Sequence, residues 1–215
     1  MAPRLLEIDK HKAQIKDLRP AIEVLLDGGV VAGPTETFYG LMASADRPEA
    51  LERVLRMKGR DGNKPLLLLL DRPRRALCYA REIPESSEGL VRNFWPGPLT
   101  LLLRARPHIH VSLVGHTRTV GVRVEGLPAI RLLVRAMDRA VTGTSANPGG
   151  APPARTAAEV AAYFHDDLDM ILDAGPCPGG EPSTIIDASL GRPRLIRDGV
   201  IRIDQLRRAA PDLRT

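Results

Sequence analysis

Short apolar runs alternate with amphipathic stretches along the whole chain, and that alternation predicts an α/β fold. Asp17 to Asp27, DLRPAIEVLLD, repeats its apolar residues at helical spacing and stops at Gly28-Gly29. Val30 to Ala32 then reads as a short buried strand. DRPEALERVLRMK predicts a second helix, with Asp46 as N-cap, Pro48 in the first turn and Gly59 past the end. PLLLLL (Pro65 to Leu70) predicts a strand buried on both faces, SSEGLVRNFWPG a helix closed by Pro96 and Gly97, and LTLLLRA a further strand. RTVGVRV alternates in strand fashion and puts Thr119, Gly121 and Arg123 on one face. A helix over 128–138 follows, then a strand ending in a tight loop within AVTGTSANPGG. TAAEVAAYF predicts a helix, MILDAG and STIIDAS predict strands, and LIRDGVIRIDQLRRAA closes with a strand-like piece and a terminal helix. No repeat or heptad interrupts the series. NPGGAPPA (Asn147 to Ala154) reads as a long active loop rather than a linker, so residues 1–215 are expected to form one domain.

Composition sharpens this only slightly. A 43% hydrophobic share supplies a sizeable core, and a 3% aromatic share makes that core aliphatic. The N-terminus lacks the apolar centre of a signal peptide, and the longest apolar run, Leu66 to Leu70, is far too short for a bilayer. A cytoplasmic protein without membrane contact is expected. Cys78 and Cys177 stand far apart and outside CxxC spacing; they could pair, but nothing suggests a disulfide framework or a zinc site. Thirty-one Lys and Arg against 26 Asp and Glu leave a net charge of +5. That excess suits a polyanionic partner and an ordinary solvated surface equally. More telling, only five lysines occur, and two of them fall within KGRDGNK, residues 58–64.

Four polar clusters stand at strand or helix ends, where an α/β sheet tends to hold its ligand. Pro34-Thr35-Glu36-Thr37 follows a buried strand and is either a turn or one wall of a site. Lys58, Arg60 and Lys64 follow a helix. Macrodipole complementation explains Lys58, whereas a phosphate-bearing ligand explains all three. Thr144-Ser145-Ala146-Asn147-Pro148-Gly149-Gly150 can expose side-chain and backbone donors together, or be a plain loop. Ser183-Thr184 opens a strand with Arg197 opposite it. No P-loop or GxGxxG motif is present. His108, His110 and His116 read as surface residues rather than metal ligands, and no nucleophile-base arrangement is legible.

In order, GPTETFYGL, KGR...KPL, WPGPLTLLL, TVGVRV, TSANPGG, STIID and LIRDG resemble the signature blocks of the YrdC-like family of threonylcarbamoyl-AMP synthases. The resemblance covers residues 17–208 and the short, single-domain form. It implies a twisted mixed sheet flanked by helices with a concave basic surface. The implied reaction joins L-threonine, bicarbonate and ATP, with Mg2+, into threonylcarbamoyl-AMP and pyrophosphate, for a partner complex that modifies tRNA. It also implies site residues. Thr37, Arg123, Gly143 and Ser183 are expected on threonine. Lys58 and Arg60 are expected at the reacting phosphates, and Lys64, Thr119, Ser145, Asn147, Pro153 and Arg197 elsewhere on the nucleotide. No resident metal ligand is implied. The chain departs from the family pattern at Lys64, where Asn is usual, and at Leu69, where a His aligns.

Such a reaction needs no protein nucleophile. A carbamate oxygen attacks the α-phosphate in line while cations stabilise the developing charge. Two other readings remain open at this stage: an RNA-binding module, which the scarcity of stacking aromatics disfavours, and a nucleotide-binding regulator without turnover.

Overall fold

The alternating pattern resolves into two mixed sheets with helices against them. The structure, a computed structural model, describes residues 2–59 and 65–215. Among these the chain runs β1 (Arg4–Glu7), α1 (Ile15–Leu26), β2 (Val31–Gly33), β3 (Gly40–Met42), α2 (Pro48–Met57), β4 (Leu68–Leu70), α3 (Glu88–Phe94), β5 (Leu99–Arg104) and α4 (Val111–Val114). It continues with β6 (Thr119–Val124), α5 (Pro128–Met137), β7 (Val141–Thr142), β8 (Thr144–Ser145), α6 (Ala157–Phe164), β9 (Met170–Asp173), β10 (Thr184–Asp187), β11 (Arg194–Arg197) and α7 (Ile203–Ala209).

One sheet has the order β1-β9-β2-β3-β8 and the other β11-β10-β5-β6-β4-β7. Both mix directions: β2 runs parallel to β9 but antiparallel to β3, and β6 runs antiparallel to β5 but parallel to β4. Register places Leu69 opposite Arg123 and Leu68 opposite Val122, so Leu67 and Leu69 share a face with Gly121 and Arg123. Leu18, Ala21, Ile22 and Leu25 form one stripe of α1. They pack with Ile130, Leu133 and Val134 of α5 over Val31, Leu69 and Leu172. Burying each such aliphatic side chain stabilises the fold by about 1.5–3 kcal/mol.

Several details differ from the sequence expectation, which lacked β1 and β3 altogether. Arg47, not Asp46, occupies the position before α2. Asp46 instead accepts a 2.6 Å hydrogen bond from Ser44 Oγ and pairs with Arg139 at 2.8 Å. A tertiary ion pair thus outcompetes the local cap. The helix expected from Ser86 begins at Glu88, after a 3-10 turn over Glu85–Ser87. The single strand expected in AVTGTS is split at Gly143, because β7 pairs with β4 in one sheet and β8 with β3 in the other. Gly143 is the crossing point. A Cβ there would lie 2.4 Å from Leu69 Cγ, so the crossing needs glycine.

Candidate active site

A cavity of about 720 Å³ opens where the two sheets come together, and both sheets line it. The β2–β3 loop forms one wall. Within it Thr35 Oγ1 donates to Phe38 O (2.7 Å) and accepts from the backbone N–H of Thr37 (3.2 Å) and Phe38 (3.3 Å). Its hydrogen is therefore spent on the turn. Thr37 Oγ1, 3.2 Å from Thr35 Oγ1, is the hydroxyl left to face a ligand, and both residues line the cavity. The loop is anchored to the facing segment by Tyr39, whose N–H donates to Ala154 O (2.9 Å) and whose carbonyl accepts from Ala146 N (2.7 Å).

β6 supplies the second wall through Gly121 and Arg123. Arg123 is only 2% exposed; its Nη2 donates to Glu125, and its buried Nε has no partner among the described residues. Glu125, fully buried, also accepts from Glu36 N (3.2 Å) and Leu127 N (3.3 Å). The Glu36 carboxylate accepts from Gly126 N at 3.1 Å. Burial, reinforced by the neighbouring Glu125 charge, pushes Glu36 up to about 7, while Arg123 opposes that rise. A Cβ on Gly126 would fall 1.9 Å from Glu36 Oε1, so the close approach of the two carboxyl groups depends on that glycine.

Ser183 and Arg197 close a third side. Arg197 Nη2 donates to Ser183 O (2.8 Å) and Ser183 Oγ (3.1 Å), and Ser183 Oγ lies 3.1 Å from Thr100 Oγ1. Behind the Ser145 segment sits Lys58, fully buried at the end of α2. Its Nζ donates to Ser145 O (2.6 Å), Asn147 O (2.5 Å) and Asn147 Oδ1 (2.7 Å). Ser145 Oγ donates to the same Asn147 Oδ1 (2.6 Å).

Seven of the sequence-derived residues thus converge on one cavity: Thr37, Arg123, Gly143, Ser145, Pro153, Ser183 and Arg197. Lys58 and Asn147 stand immediately behind it, tied to Ser145. Thr119 is not in the lining; its hydroxyl lies 2.8 Å from Thr117 Oγ1. Arg60 and Lys64 lie outside the described residues. Sequence reasoning missed the Glu36–Glu125 pairing. The available signal was Glu125 two residues after Arg123, hence on the same side of an extended chain.

Other candidates settle elsewhere. His110 Nδ1 accepts from Ser112 N (3.3 Å) at the start of α4. Both cysteines are free, Cys78 exposed and Cys177 buried. Among the described residues no group of three or more His, Cys, Asp or Glu could hold a metal ion, and no helix is long and apolar enough to cross a membrane.

Comparison with known proteins places the chain among relatives. A family model for Sua5/YciO/YrdC proteins, described as "Telomere recombination", matches residues 23–199. The threonylcarbamoyl-AMP synthase of Pyrococcus abyssi is 34% identical over 197 residues, covering 92% of this chain and 58% of that protein. That of Thiobacillus denitrificans is 36% identical over 165 residues, covering 77% of this chain and 87% of that protein. The crystal structure of P. abyssi Sua5 complexed with L-threonine superposes with a TM-score of 0.91 at 32% identity, covering 98% of this chain and 62% of that one. The chain therefore spans less than two thirds of the length of the P. abyssi protein.

Proposed function

The chain belongs to the Sua5/YciO/YrdC family, and we propose that it is an L-threonylcarbamoyladenylate synthase, a nucleotidyltransferase joining L-threonine, bicarbonate and ATP with release of pyrophosphate. The observation that carries this reading is Arg123: a buried guanidinium in the cavity wall whose Nε has no partner among the described residues, in a lining that also holds Thr37 and Ser183. Buried polar groups are rarely left unpaired, and a planar guanidinium is suited to a carboxylate. The relative solved with L-threonine supports an amino acid as that ligand.

In this reading Arg123 holds the threonine carboxylate, Thr37 and Ser183 hydrogen-bond the substrate, and Gly143 lets it approach the backbone. The amine is carbamoylated inside the cavity, and a carbamate oxygen then attacks the α-phosphate of ATP. Arg197, Ser145, Asn147 and Pro153 border the nucleotide, Lys58 fixes the loop that carries Ser145, and Arg60 and Lys64 supply charge at the phosphates. Thr119, two residues before Gly121 at the start of β6, meets the far end of the nucleotide. Mg2+ enters as the ATP complex, held by the triphosphate. The chemistry is positioning plus charge stabilisation. The product is a mixed anhydride, to be consumed by a separate threonylcarbamoyl transfer to tRNA in the cytoplasm.

The test is pyrophosphate release from ATP and Mg2+ with bicarbonate. Release that requires L-threonine is expected. ATP binding without threonine-dependent release would leave a nucleotide-binding regulator. Steeply salt-dependent tRNA binding as the sole activity would leave an RNA-binding module.

A further inference from the structure

The Arg123 clamp carries one more carboxyl group than a single guanidinium can balance. Glu125 is fully buried and takes a hydrogen bond from Arg123 Nη2 together with two backbone N–H groups. Glu36 lies beside it: Glu36 N donates to Glu125 Oε1 at 3.2 Å, and the Glu125 charge raises the Glu36 carboxyl. An amino-acid carboxylate docking on Arg123 would be a third anion against one cation. Three like charges beside one buried guanidinium repel by several kcal/mol at the effective dielectric of a protein interior, so one of the three is held neutral. The substrate carboxylate must stay ionised to engage the fork, and Glu125 takes three hydrogen bonds, from Arg123 Nη2, Glu36 N and Leu127 N. Glu36 has a single backbone donor, Gly126 N.

We propose that Glu36 is a positioning residue that works by proton uptake: when an amino-acid carboxylate docks on Arg123, Glu36 takes a proton from solvent and remains a neutral carboxyl group while the substrate is bound. The inference rests on the amino-acid reading of the cavity. The proton comes from water or buffer, and it lets Glu125 and the substrate share the guanidinium, one on Nη2 and the other on the side of Nε. The residues around Glu36 fit this role. Arg123 is the cation that favours its ionised form, and Glu125 the anion that opposes it. Arg131 reaches over from α5, but its Nη1 donates to the backbone carbonyls of Glu125 and Gly126, not to either carboxylate. Cys177, which interacts with Glu125, Lys10 and Arg155, is pushed by burial above its usual range and stays a neutral thiol near neutrality. Glu36 itself is raised to about 7, first by burial and then by the Glu125 charge.

The consequence is a proton count. Binding of L-threonine should take up about half a proton at pH 7, close to one at pH 8 and little at pH 6, because Glu36 is already protonated at the lower pH. Threonine affinity should correspondingly fall with rising pH above 7, by up to about tenfold per pH unit. Calorimetric titration of the full chain with L-threonine in CO2-free buffers of different ionisation enthalpies, at pH 6, 7 and 8, measures this directly. Threoninol, which lacks the carboxylate, should give no uptake. Glu36→Gln should bind threonine with no uptake and with an affinity that is flat from pH 6 to 8. A purely structural role would change affinity without moving the proton count. Threonine binding with no uptake in the wild-type protein at pH 7 and 8 would overturn the proposal, and so would uptake that persists in Glu36→Gln. Absence of any threonine binding would overturn the amino-acid reading beneath it. The wild-type counts decide the matter even if the variant does not fold.

Discussion

Lys58 places its ammonium 2.7 Å from Asn147 Oδ1 and 2.5 Å from the Asn147 carbonyl, joining the end of α2 to the loop after β8 across 89 residues of sequence. The reverse contact is also made: Gly149 N donates to Lys58 O at 3.0 Å. In this arrangement Lys58 shapes the Ser145 side of the cavity from behind rather than standing in its lining.

Lys58→Met keeps the apolar stem and removes the donors. Carbonyl and amide oxygens of Ser145 and Asn147 would then be buried without their cation, at a cost of about 2–4 kcal/mol. Urea unfolding should show that loss. Pyrophosphate release should fall together with it, through a higher KM for ATP as well as a lower kcat. A variant with native stability and a change in ATP KM alone would mean that Lys58 acts on ATP directly.

Gly143 and Leu69 form the second coupled pair. Gly143→Ala forces a methyl group into Leu69, whose Cγ and both Cδ atoms lie 2.4–2.8 Å from the new Cβ. Leu69 is fully buried and sits opposite Arg123 in register, so its displacement reaches the clamp. Overpacking of this kind costs about 1–3 kcal/mol. Leu69→Ala alone opens a cavity worth about 2–5 kcal/mol. Combined, the two should cost less than their sum by at least about 0.5 kcal/mol in a double-mutant cycle of denaturant midpoints. Strict additivity would show that the clash is relieved elsewhere.

Most strands and helices were legible because each buries an aliphatic stripe at its own period. Leu18, Ala21, Ile22 and Leu25 betray α1, and the run Leu66 to Leu70 betrays β4. β1 was not legible: RLLE has no alternation and lies at a sheet edge, with only Leu6 half-buried. β3 was hidden by its length, since three residues give no period. The split at Gly143 depends on partners in two sheets, which no local pattern encodes. The site was legible as clusters at element ends, and the order of those blocks pointed to one cavity. The orientation of side chains within it was not. The hydrogen bonds from Lys58 to Asn147 are invisible to a local reading because they span 89 residues. The Glu36–Glu125 contact spans a similar distance.

Arg123→Lys separates charge from geometry. Lysine keeps the cation near Glu125 but cannot offer a planar fork to a carboxylate. Losing one charge-assisted hydrogen bond of about 2–3 kcal/mol should lower kcat/KM for threonine by about 30–150-fold, mostly through KM. The KM for ATP should move less than about threefold, within the context scatter of a distant contact. Arg123→Ala should be worse and also unfold more easily, because it strands the buried Glu125 carboxylate. Equal effects on threonine and ATP would remove Arg123 from the amino-acid end of the cavity.

Glu36 should also leave a mark on stability in the absence of substrate. Its folded-state value of about 7 stands above its ordinary 4.5, so between those limits the folded protein keeps a proton that the unfolded chain has released. The contribution is fully present below 4.5, declines as pH rises, and is gone once pH passes about 7, where folding must bury an extra charge. Glu36→Gln cannot ionise and escapes that cost. Discounted for the part of Glu36 that remains in contact with water, the variant should gain about 1–2 kcal/mol on the wild type between pH 4.5 and 8. Parallel urea titrations across that range isolate the effect, since every other group is common to both proteins. A difference that stays constant with pH would show that Glu36 titrates alike in the folded and unfolded chains, and that burial beside Glu125 does not hold its proton.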